Sequence, residues 1–538
     1  MSSANRRQDL SALGVQDLSA LGIQALVDPG KTPTDEQVRV IEAPRRPLLV
    51  VAGAGSGKTE TMSMRVLWLV ANHEDIAPSS VLGLTFTRKA AGELGDRLRQ
   101  RLALLAGRVP SLRERLDEDP VSLTYNSFAE RIVAEHGMRI GIDPDFTMLT
   151  EAGAVDLMTQ IVEGWPTDLD EDLSPSAAVG HCLHLAGEVG EHGYTVEEAR
   201  DALEGFGRDL EQIGATNDTA RKTLRANARR LAYLGPVEEF QRRKREGGLL
   251  DFSDQLVLAT RIVRGAPAVR AQVRDEFQAV LLDEFQDTSV IQMELLSLLF
   301  HDHAVTAVGD PNQAIYGWRG ASASSLERFL DRFQDGPAQP GQTLTLSTAW
   351  RNDRNILRAA NRVAAPLREH SRAAKSPVLR ARPGAGEGRV DVAYTQDYRS
   401  ALGAVVDFVS AHRARGTREG KRPTTAVLCR RRSDFPYVDM ALREAGVPTQ
   451  IVGLGGLLDQ PSVQDARAAL VLADDVEASP WLARLLAGID LGAADLVALG
   501  DWARHLAREE GHDPHRAVLL DAVDNPPEPG WSASGGAR

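Results

Sequence analysis

Short apolar runs alternate with longer amphipathic stretches over the first part of the chain. Residues 47–52 form an unbroken apolar run that predicts a buried strand, and a helical pattern follows from Lys58 to about Ala71. The same order returns at 81–85, a second predicted strand, and at 89–105, a second predicted helix. Strand–helix alternation is typical of a parallel, doubly wound sheet. The pattern therefore predicts an α/β fold.

The pattern changes along the rest of the chain. Residues 137–249 are rich in Ala, Glu and Arg and predict a helical insertion, whereas strand signals return at 279–282 and 304–308. A second α/β pattern, with strands expected at 389–394, 426–429 and 450–452, precedes a helical end. The predicted organisation is an N-terminal extension (1–31), a first α/β domain (32–136 and 250–352), a helical insertion (137–249), a partial second α/β domain (353–475) and the start of a second helical insertion (476–538).

Composition narrows the class of protein only slightly. The net charge of −13 over 538 residues argues against a uniformly basic nucleic-acid-binding surface, but leaves room for a local basic groove. The two cysteines, Cys182 and Cys429, match no zinc or disulfide spacing, and no apolar run approaches the roughly 20 residues of a membrane span. We expect a cytoplasmic protein without a membrane partner.

The strongest chemical signal is the glycine-rich turn between the first predicted strand and helix. Consecutive backbone N–H groups of such a turn converge on phosphate oxygens, and the helix N-terminus adds a partial positive charge. A lysine at its end reaches the β- and γ-phosphates, and the next hydroxyl binds Mg²⁺. The predicted nucleotide-binding residues are Ala52, Gly53, Ala54, Gly55, Ser56, Gly57, Lys58 and Thr59, with Ala52 in place of the usual first glycine.

Two adjacent acids end the predicted strand at 279–282. Asp283 is placed to bind Mg²⁺ together with Thr59, and Glu284 to polarise an attacking water. Adjacent acids at a strand end are structural about as often as functional when they stand alone. Downstream of a phosphate-binding loop, the catalytic interpretation is favoured.

Together with that loop, an ordered set of segments resembles the motifs of UvrD/Rep/PcrA-type superfamily 1A DNA helicases. Asn126, Ala349 and Trp350 depart from the residues usual in that family. The resembling segments are Thr34-Asp-Glu-Gln37, Leu84-Thr-Phe-Thr-Arg-Lys-Ala-Ala91, Leu123-Thr-Tyr-Asn-Ser-Phe128, Asp283-Glu-Phe-Gln-Asp287, Val308-Gly-Asp-Pro-Asn-Gln-Ala-Ile-Tyr-Gly-Trp-Arg-Gly-Ala321 and Leu346-Ser-Thr-Ala-Trp-Arg-Asn352.

The resemblance implies RecA-like P-loop NTPase domains with helical insertions, and it implies roles for further residues. Gln37 would recognise the adenine, and Trp350 would stack on it unless it is an ordinary core tryptophan. Gln313 is similar to the glutamine that contacts the γ-phosphate and couples the ATP site to DNA. Arg351 is similar to an arginine that stabilises charge on that phosphate.

Aromatic and basic residues within the same segments predict a surface for single-stranded DNA. Aromatic rings stack on bases of any sequence while cations bind the phosphates. The alternative is that the rings belong to the core. The predicted DNA-binding residues are Phe86, Arg88, Tyr125, Tyr316, Trp318 and Arg319.

The function predicted from the resemblance is that of an ATP-dependent 3′–5′ DNA helicase or translocase. It would act on single-stranded and 3′-tailed duplex DNA in repair or recombination. Two late motifs of the family are not found after Asn352, so we expect this chain to bind ATP but to unwind weakly or not at all. Some segments also look like the motor of actinobacterial helicase–nucleases, which implies a possible second helicase–nuclease subunit as a partner.

Two other interpretations remain open. The first is a non-unwinding subunit that binds ATP and tethers a larger repair complex to DNA. The second is a P-loop enzyme acting on small molecules, such as a nucleotide kinase, with an ATPase activity that is indifferent to DNA. This second reading leaves the segment from Gln313 to Arg319 unexplained.

Overall fold

The computed structural model describes most of the chain. The described residues are 18–143, 146–167, 169, 174–214, 217–317, 325–334, 341–370, 375–414, 424–452, 461–489, 491–512, 514 and 517–527. None of the helices in these ranges combines the length and the apolar character that crossing a membrane requires. The chain divides into two compact units, Met1–Val390 and Asp391–Arg538.

A six-stranded parallel sheet forms the centre of the first unit. Neighbouring strands are in parallel register throughout; Val50, for example, lies opposite Val308 on one side and Leu344 on the other. The α/β class with a parallel sheet is thus confirmed. The strands are β1 (Leu48–Ala52), β2 (Val81–Thr85), β3 (Val121–Thr124), β6 (Ala279–Leu282), β7 (Val305–Gly309) and β8 (Gln342–Leu346). Their order in the sheet is β3-β2-β6-β7-β1-β8.

The central strands are apolar at nearly every position because both faces of the sheet are covered by helices. Alternate residues of β1 enter different cores: Leu49 and Val51 pack on one face, and Leu48 and Val50 on the other. The helices around the sheet are α1 (Ala20–Val27), α2 (Asp35–Ile41), α3 (Lys58–Asn72), α4 (Arg88–Arg108), α5 (Tyr125–His136), α10 (Phe252–Gly265), α11 (Pro267–Glu276), α12 (Val290–Phe300) and α13 (Ser325–Phe333).

Four helices between α5 and α10 form a subregion with a core of its own. Met158, Cys182, Leu234 and Phe240 are buried together there, apart from the two cores of the sheet. The helical character predicted for residues 137–249 is therefore present, although a short two-stranded sheet in this region was not predicted. The elements are β4 (Thr147–Met148), α6 (Glu151–Glu163), α7 (Pro175–Glu191), α8 (Val196–Gln212), α9 (Asp218–Glu246) and β5 (Leu249–Leu250).

The first unit continues past the sheet through β9 (Thr348–Ala349), α14 (Arg354–His370) and β10 (Arg380–Ala381). Strands β9 and β10 pair in parallel, and the amide N–H of Arg380 also donates to the carbonyl oxygen of Ser347. These contacts return the chain to the edge of the sheet after α14.

The second unit is helical in its described part, with a small core of Val409, Leu442 and Val447. The strands predicted at 389–394, 426–429 and 450–452 are wrong, because these segments have no ladder partner among the described residues. Val392 and Leu428 are 90% and 94% exposed, so they are not core residues. The helices are α15 (Tyr398–Ala414), α16 (Phe435–Glu444), α17 (Pro461–Asp474), α18 (Ser479–Gly488), α19 (Ala493–Glu509) and α20 (Leu519–Asp524).

A buried arginine joins the segment after α2 to the sheet. The side chain of Arg65, on α3, is 0% exposed and donates to the Thr306 hydroxyl on β7. It also donates to carbonyl oxygens at the end of α2 and in the turn that follows, which are those of Val40, Ile41, Ala43 and Pro44. Burial lowers the Arg65 pKa to about 10, which still leaves the guanidinium charged at neutral pH. Arg65 thus fixes α2, which carries Gln37, against the helix that follows the glycine-rich turn.

We expect Arg65→Met to lower the free energy of unfolding by about 3 kcal/mol, because several buried carbonyl groups would lose their donor. Urea denaturation followed by circular dichroism measures this loss. Arg45→Met is the control: its ion pair with Asp75 is exposed and should contribute less than about 1 kcal/mol. Equal effects of the two substitutions would show that the Arg65 contacts add nothing to an ordinary surface pair.

Candidate active site

The glycine-rich turn after β1 has the backbone of a phosphate cradle. Gly55 and Gly57 have φ of +74° and +82°, a left-handed conformation that a residue with a Cβ adopts only with strain. Gly57 is the N-cap of α3, so the free N–H groups of that helix begin at the turn. The hydroxyl of Ser56 is buried and has no hydrogen-bond partner among the residues that the structure describes. A turn with free donors at a helix N-terminus and an unpartnered hydroxyl fits a bound phosphate group.

Lys58 and Glu284 meet across the sheet. The Nζ atom of Lys58 donates to Oε2 of Glu284 at 2.8 Å, which joins the end of the β1 turn to the end of β6. Glu284 has a φ of +49°, a left-handed conformation that costs a non-glycine residue roughly 1–2 kcal/mol. This turn directs the Glu284 carboxylate towards the lysine. The structure thus brings together the two charged groups that the sequence assigned to phosphate binding and to catalysis.

Asp283 lies beside this pair in a less hydrated position. Burial, and then the negative charge of Glu284, raise the pKa of Asp283 to about 6, and the charge of Lys58 opposes that rise. Its Oδ1 accepts the amide N–H of Glu284 at 3.0 Å. A carboxylate whose charge is poorly compensated suits a divalent cation, which would supply the missing positive charge. Asp283 and the Thr59 hydroxyl are the kind of hard oxygen ligands that Mg²⁺ prefers.

Three more of the predicted nucleotide-site residues border the same turn. A Cβ atom built on Gly57 would lie 3.0 Å from Nε2 of Gln37 and 3.7 Å from Cδ1 of Trp350, and one on Gly55 would lie 3.0 Å from Cβ of Arg351. The amide N–H of Trp350 donates to the carbonyl oxygen of Gly55 at 2.8 Å. The Trp350 ring is 39% exposed, which is not the environment of an ordinary core tryptophan.

Gln313 is connected to Glu284 through Asp310 and Gln286. Its Nε2 donates to Oδ2 of Asp310 at 2.8 Å, and the amide N–H of Asp310 donates to Oε1 of Gln286 at 3.0 Å. Oδ1 of Asp310 accepts from the buried hydroxyl of Ser376, in the segment between α14 and β10. Gln286 lies within the motif quoted from the sequence and could have been singled out there, whereas no local signal pointed to Ser376.

Two of the predicted DNA-binding aromatics form a pair at the ends of β2 and β7. The rings of Phe86 and Tyr316 are stacked, with centroids 4.7 Å apart and an interplanar angle of 29°. Arg88 is exposed at the start of α4, two residues after Phe86. A partly exposed aromatic pair beside a cation matches the composition of surfaces that bind single strands.

The structure corrects the DNA-binding role predicted for Tyr125. Its side chain is 3% exposed within the core of the sheet, and its hydroxyl donates to the carbonyl oxygen of Asp283 at 2.9 Å. A ring held in the core cannot stack on a base, so the predicted DNA contact of Tyr125 is wrong. The ring instead supports the strand end that carries the acidic pair. Trp318 and Arg319 lie outside the described residues.

The raised pKa of Asp283 predicts a pH-dependent effect of Asp283→Asn on the protein free of nucleotide and metal. A raised folded-state pKa means that the folded chain binds the proton more tightly than the unfolded chain. That stabilisation is fully present below pH about 4 and is lost as the pH rises through about 6. The free energy of unfolding of Asp283→Asn should therefore exceed that of the wild-type chain by about 2–3 kcal/mol at pH 7.5, with little difference at pH 4.

Urea denaturation in EDTA at the two pH values measures that difference. Asp75→Asn is the matched control with the opposite sign, because a hydrogen bond from Arg45 lowers the pKa of Asp75. A stability difference for Asp283→Asn that does not change between pH 4 and pH 7.5 would contradict the assigned environment.

Comparison with known proteins agrees with the geometry. Residues 33–334 match the UvrD/REP helicase N-terminal domain. The chain is 26% identical over 492 residues to DNA helicase II of Haemophilus influenzae, covering 91% of this chain and 60% of the relative. It is 28% identical over 440 residues to DNA helicase II of Escherichia coli, covering 81% of this chain and 54% of the relative.

A mycobacterial protein is similar to a comparable degree. The ATP-dependent DNA helicase UvrD2 of Mycobacterium tuberculosis is 28% identical over 443 residues, covering 81% of this chain and 57% of the relative. The chain thus spans little more than half the length of these relatives. Since the matched domain covers more than half of the 538 residues, this protein belongs to the UvrD/REP family of ATP-binding DNA helicases.

Proposed function

We propose that this chain is the ATP- and strand-binding part of a 3′–5′ DNA helicase or translocase that acts in DNA repair or recombination. The observation that carries the proposal is the contact of Lys58 with Glu284, at the same edge of the sheet as the stacked pair of Phe86 and Tyr316. An NTP site and an aromatic surface on one sheet edge suit a motor in which nucleotide and strand affect each other. The 3′–5′ direction follows from the family resemblance.

The residues of the nucleotide site have separable roles in this proposal. The glycine-rich turn and Lys58 bind the phosphates, and Gln37 and Trp350 bind the adenine. Thr59 and Asp283 would hold Mg²⁺, which would neutralise phosphate charge when bound. Glu284 orients and polarises the attacking water, since a carboxylate at this position can accept its proton. Arg351 stabilises charge that develops on the γ-phosphate.

The strand is bound by stacking and by charge. Phe86 and Tyr316 present ring faces to the bases, and Arg88 contacts the phosphates; Trp318 and Arg319 are assigned to the same surface from the sequence. Because stacking does not read base identity, binding is expected to be independent of sequence and to weaken as salt rises. Single-stranded DNA and 3′-tailed duplexes are the proposed substrates, and a second helicase–nuclease subunit is a proposed partner.

Nucleotide binding is tested with a fluorescent ATP analogue and Mg²⁺. We expect Lys58→Ala to weaken binding at least about tenfold, because it removes the cation that faces the β- and γ-phosphates. Lys222→Ala is the control, since this lysine is exposed on α9 of the helical insertion. Unchanged affinity of Lys58→Ala would remove the basis for an ATP site here.

Strand binding is tested separately by fluorescence anisotropy with a labelled oligothymidine. We expect Tyr316→Ala and Phe86→Ala each to raise the Kd about tenfold, because each removes a stacking surface worth roughly 1–3 kcal/mol. Tyr194→Ala is the matched control, an exposed tyrosine that stacks on His192 in the helical insertion. If neither Phe86 nor Tyr316 affects the Kd, the strand is bound elsewhere and the proposed surface is wrong.

A further inference from the structure

The carboxamide of Gln286 lies between the catalytic carboxylate and the loop that carries Tyr316. Its Nε2 donates to Oε2 of Glu284 at 2.8 Å and to Oδ2 of Asp287 at 3.0 Å. Its Oε1 accepts the amide N–H of Asp310 at 3.0 Å. The side chain is 2% exposed, so water does not compete for these contacts. One neutral amide thus joins two acids of the β6 turn and the end of β7.

The packing around Gln286 leaves room for this arrangement and for little else. Gly309, the last residue of β7, passes so close that a Cβ atom there would lie 2.7 Å from Oε1 of Gln286. The backbone donor of Asp310 requires an oxygen at that end of the amide, so the NH₂ group must face Glu284 and Asp287. The orientation of the carboxamide is therefore set by its surroundings.

Each acid that Gln286 contacts has a second partner with a functional position. Oε2 of Glu284 also accepts from Lys58 at 2.8 Å. Oδ1 of Asp287 accepts the amide N–H of Ile315 at 3.2 Å, and Ile315 directly precedes Tyr316. A continuous series of hydrogen bonds consequently runs from Lys58 through Glu284, Gln286 and Asp287 to the backbone beside the aromatic pair.

We propose that Gln286 is the positioning residue through which the nucleotide site and the strand-binding surface affect each other. This inference rests on the proposed function. The ammonium group of Lys58 cannot approach a phosphate and keep its present distance from Glu284. Any movement of this group towards a phosphate therefore lengthens its bond to Glu284. Oε2 of Glu284 then relies more on its hydrogen bond from the NH₂ group of Gln286. Because the same NH₂ group also donates to Asp287, its contact with Asp287 shifts. Asp287 in turn transmits the shift to the amide of Ile315 and to the loop of Tyr316.

The route differs from the one predicted by family resemblance, which runs through Gln313. The amide of Gln313 donates to Asp310, and among the described residues Asp310 is joined to Glu284 through Gln286. Gln286 is therefore bonded both to the catalytic carboxylate and to the residue that holds Gln313. Its replacement should remove the coupling that passes through Glu284 and Asp287.

The test measures coupling as a ratio of two affinities. The Kd for oligothymidine is determined with the full chain, first without nucleotide and then with a saturating non-hydrolysable ATP analogue and Mg²⁺. Allosteric coupling typically changes an affinity by about 5- to 150-fold. We expect a ratio in this range for the wild-type chain and a ratio within about twofold of one for Gln286→Met, which keeps the length of the side chain but has no donor.

Gln255→Met is the matched control. Gln255 is as deeply buried as Gln286, and its Nε2 contacts the sulfur of Met148; both residues lie outside the motif segments. Loss of a buried amide should by itself leave the ratio unchanged in this variant. If Gln255→Met lowers the ratio as much as Gln286→Met, the effect is one of general destabilisation and the inference fails.

Asp287→Asn is a second, smaller change at the next step of the series. The asparagine has one side-chain oxygen for two donors, the NH₂ group of Gln286 and the amide N–H of Ile315, so one of these two contacts in the series is lost whichever way its amide is oriented. It should lower the ratio as Gln286→Met does, and it decides the question if circular dichroism shows that Gln286→Met is unfolded.

The outcomes separate this inference from the proposed function. A wild-type chain that binds neither the ATP analogue nor the oligonucleotide overturns the proposed function. A chain that binds both with a ratio of one leaves both sites in place and overturns the role of Gln286. Wild-type ratios in the folded Gln286→Met and Asp287→Asn variants also overturn it.

Discussion

All six strands of the central sheet run in the same direction, so their carboxyl ends share one edge. The order β3-β2-β6-β7-β1-β8 places the end of β6 beside that of β7, and the end of β7 beside that of β1. The glycine-rich turn, the acidic pair and the Asp310 loop follow these three ends. Residues more than 200 positions apart, such as Lys58 and Glu284, therefore meet without a long excursion of the chain. Ligands in open parallel sheets bind at this kind of edge.

The same edge concentrates negative charge in a poorly hydrated place. Asp283, Glu284 and Asp287 end or follow one strand, and burial raises the pKa of both Asp283 and Asp287. The chain compensates part of this charge with Lys58 and with the amide of Gln286, and it holds Glu284 in a strained conformation. Uncompensated charge and backbone strain lower stability, and both are expected where a site is prepared for a ligand that supplies the missing contacts.

Buried polar groups join segments around the sheet that the apolar cores alone do not connect by hydrogen bonds. Arg65 fixes the segment after α2 with a guanidinium that has no exposure to water, and Tyr125 supports the end of β6 through the carbonyl oxygen of Asp283. The carboxylate of Asp310 accepts hydrogen bonds from the side-chain amide of Gln313, the backbone N–H of Asn312 and the hydroxyl of Ser376. The contacts of Arg65 and Tyr125, and that of Asp310 with Ser376, join residues distant in sequence, so these contacts depend on the completed fold.

The sequence by itself determined the elements whose signals are local: the buried strands β1, β2, β6 and β7, the glycine-rich turn, and the helical character of residues 137–249. A strand buried on both faces is apolar throughout, and a phosphate cradle needs glycine at fixed positions, so both are visible in a short window. Family resemblance added the candidate roles of Gln37, Gln313, Trp350 and Arg351, which remain proposals. Only the tertiary structure decided that Tyr125 is a core residue, that Arg65 and Gln286 join separate segments, and that residues 426–429 form no strand. Burial, hydrogen-bond partners and strand pairing are set by residues far away along the chain, and no local pattern of amino acids records them.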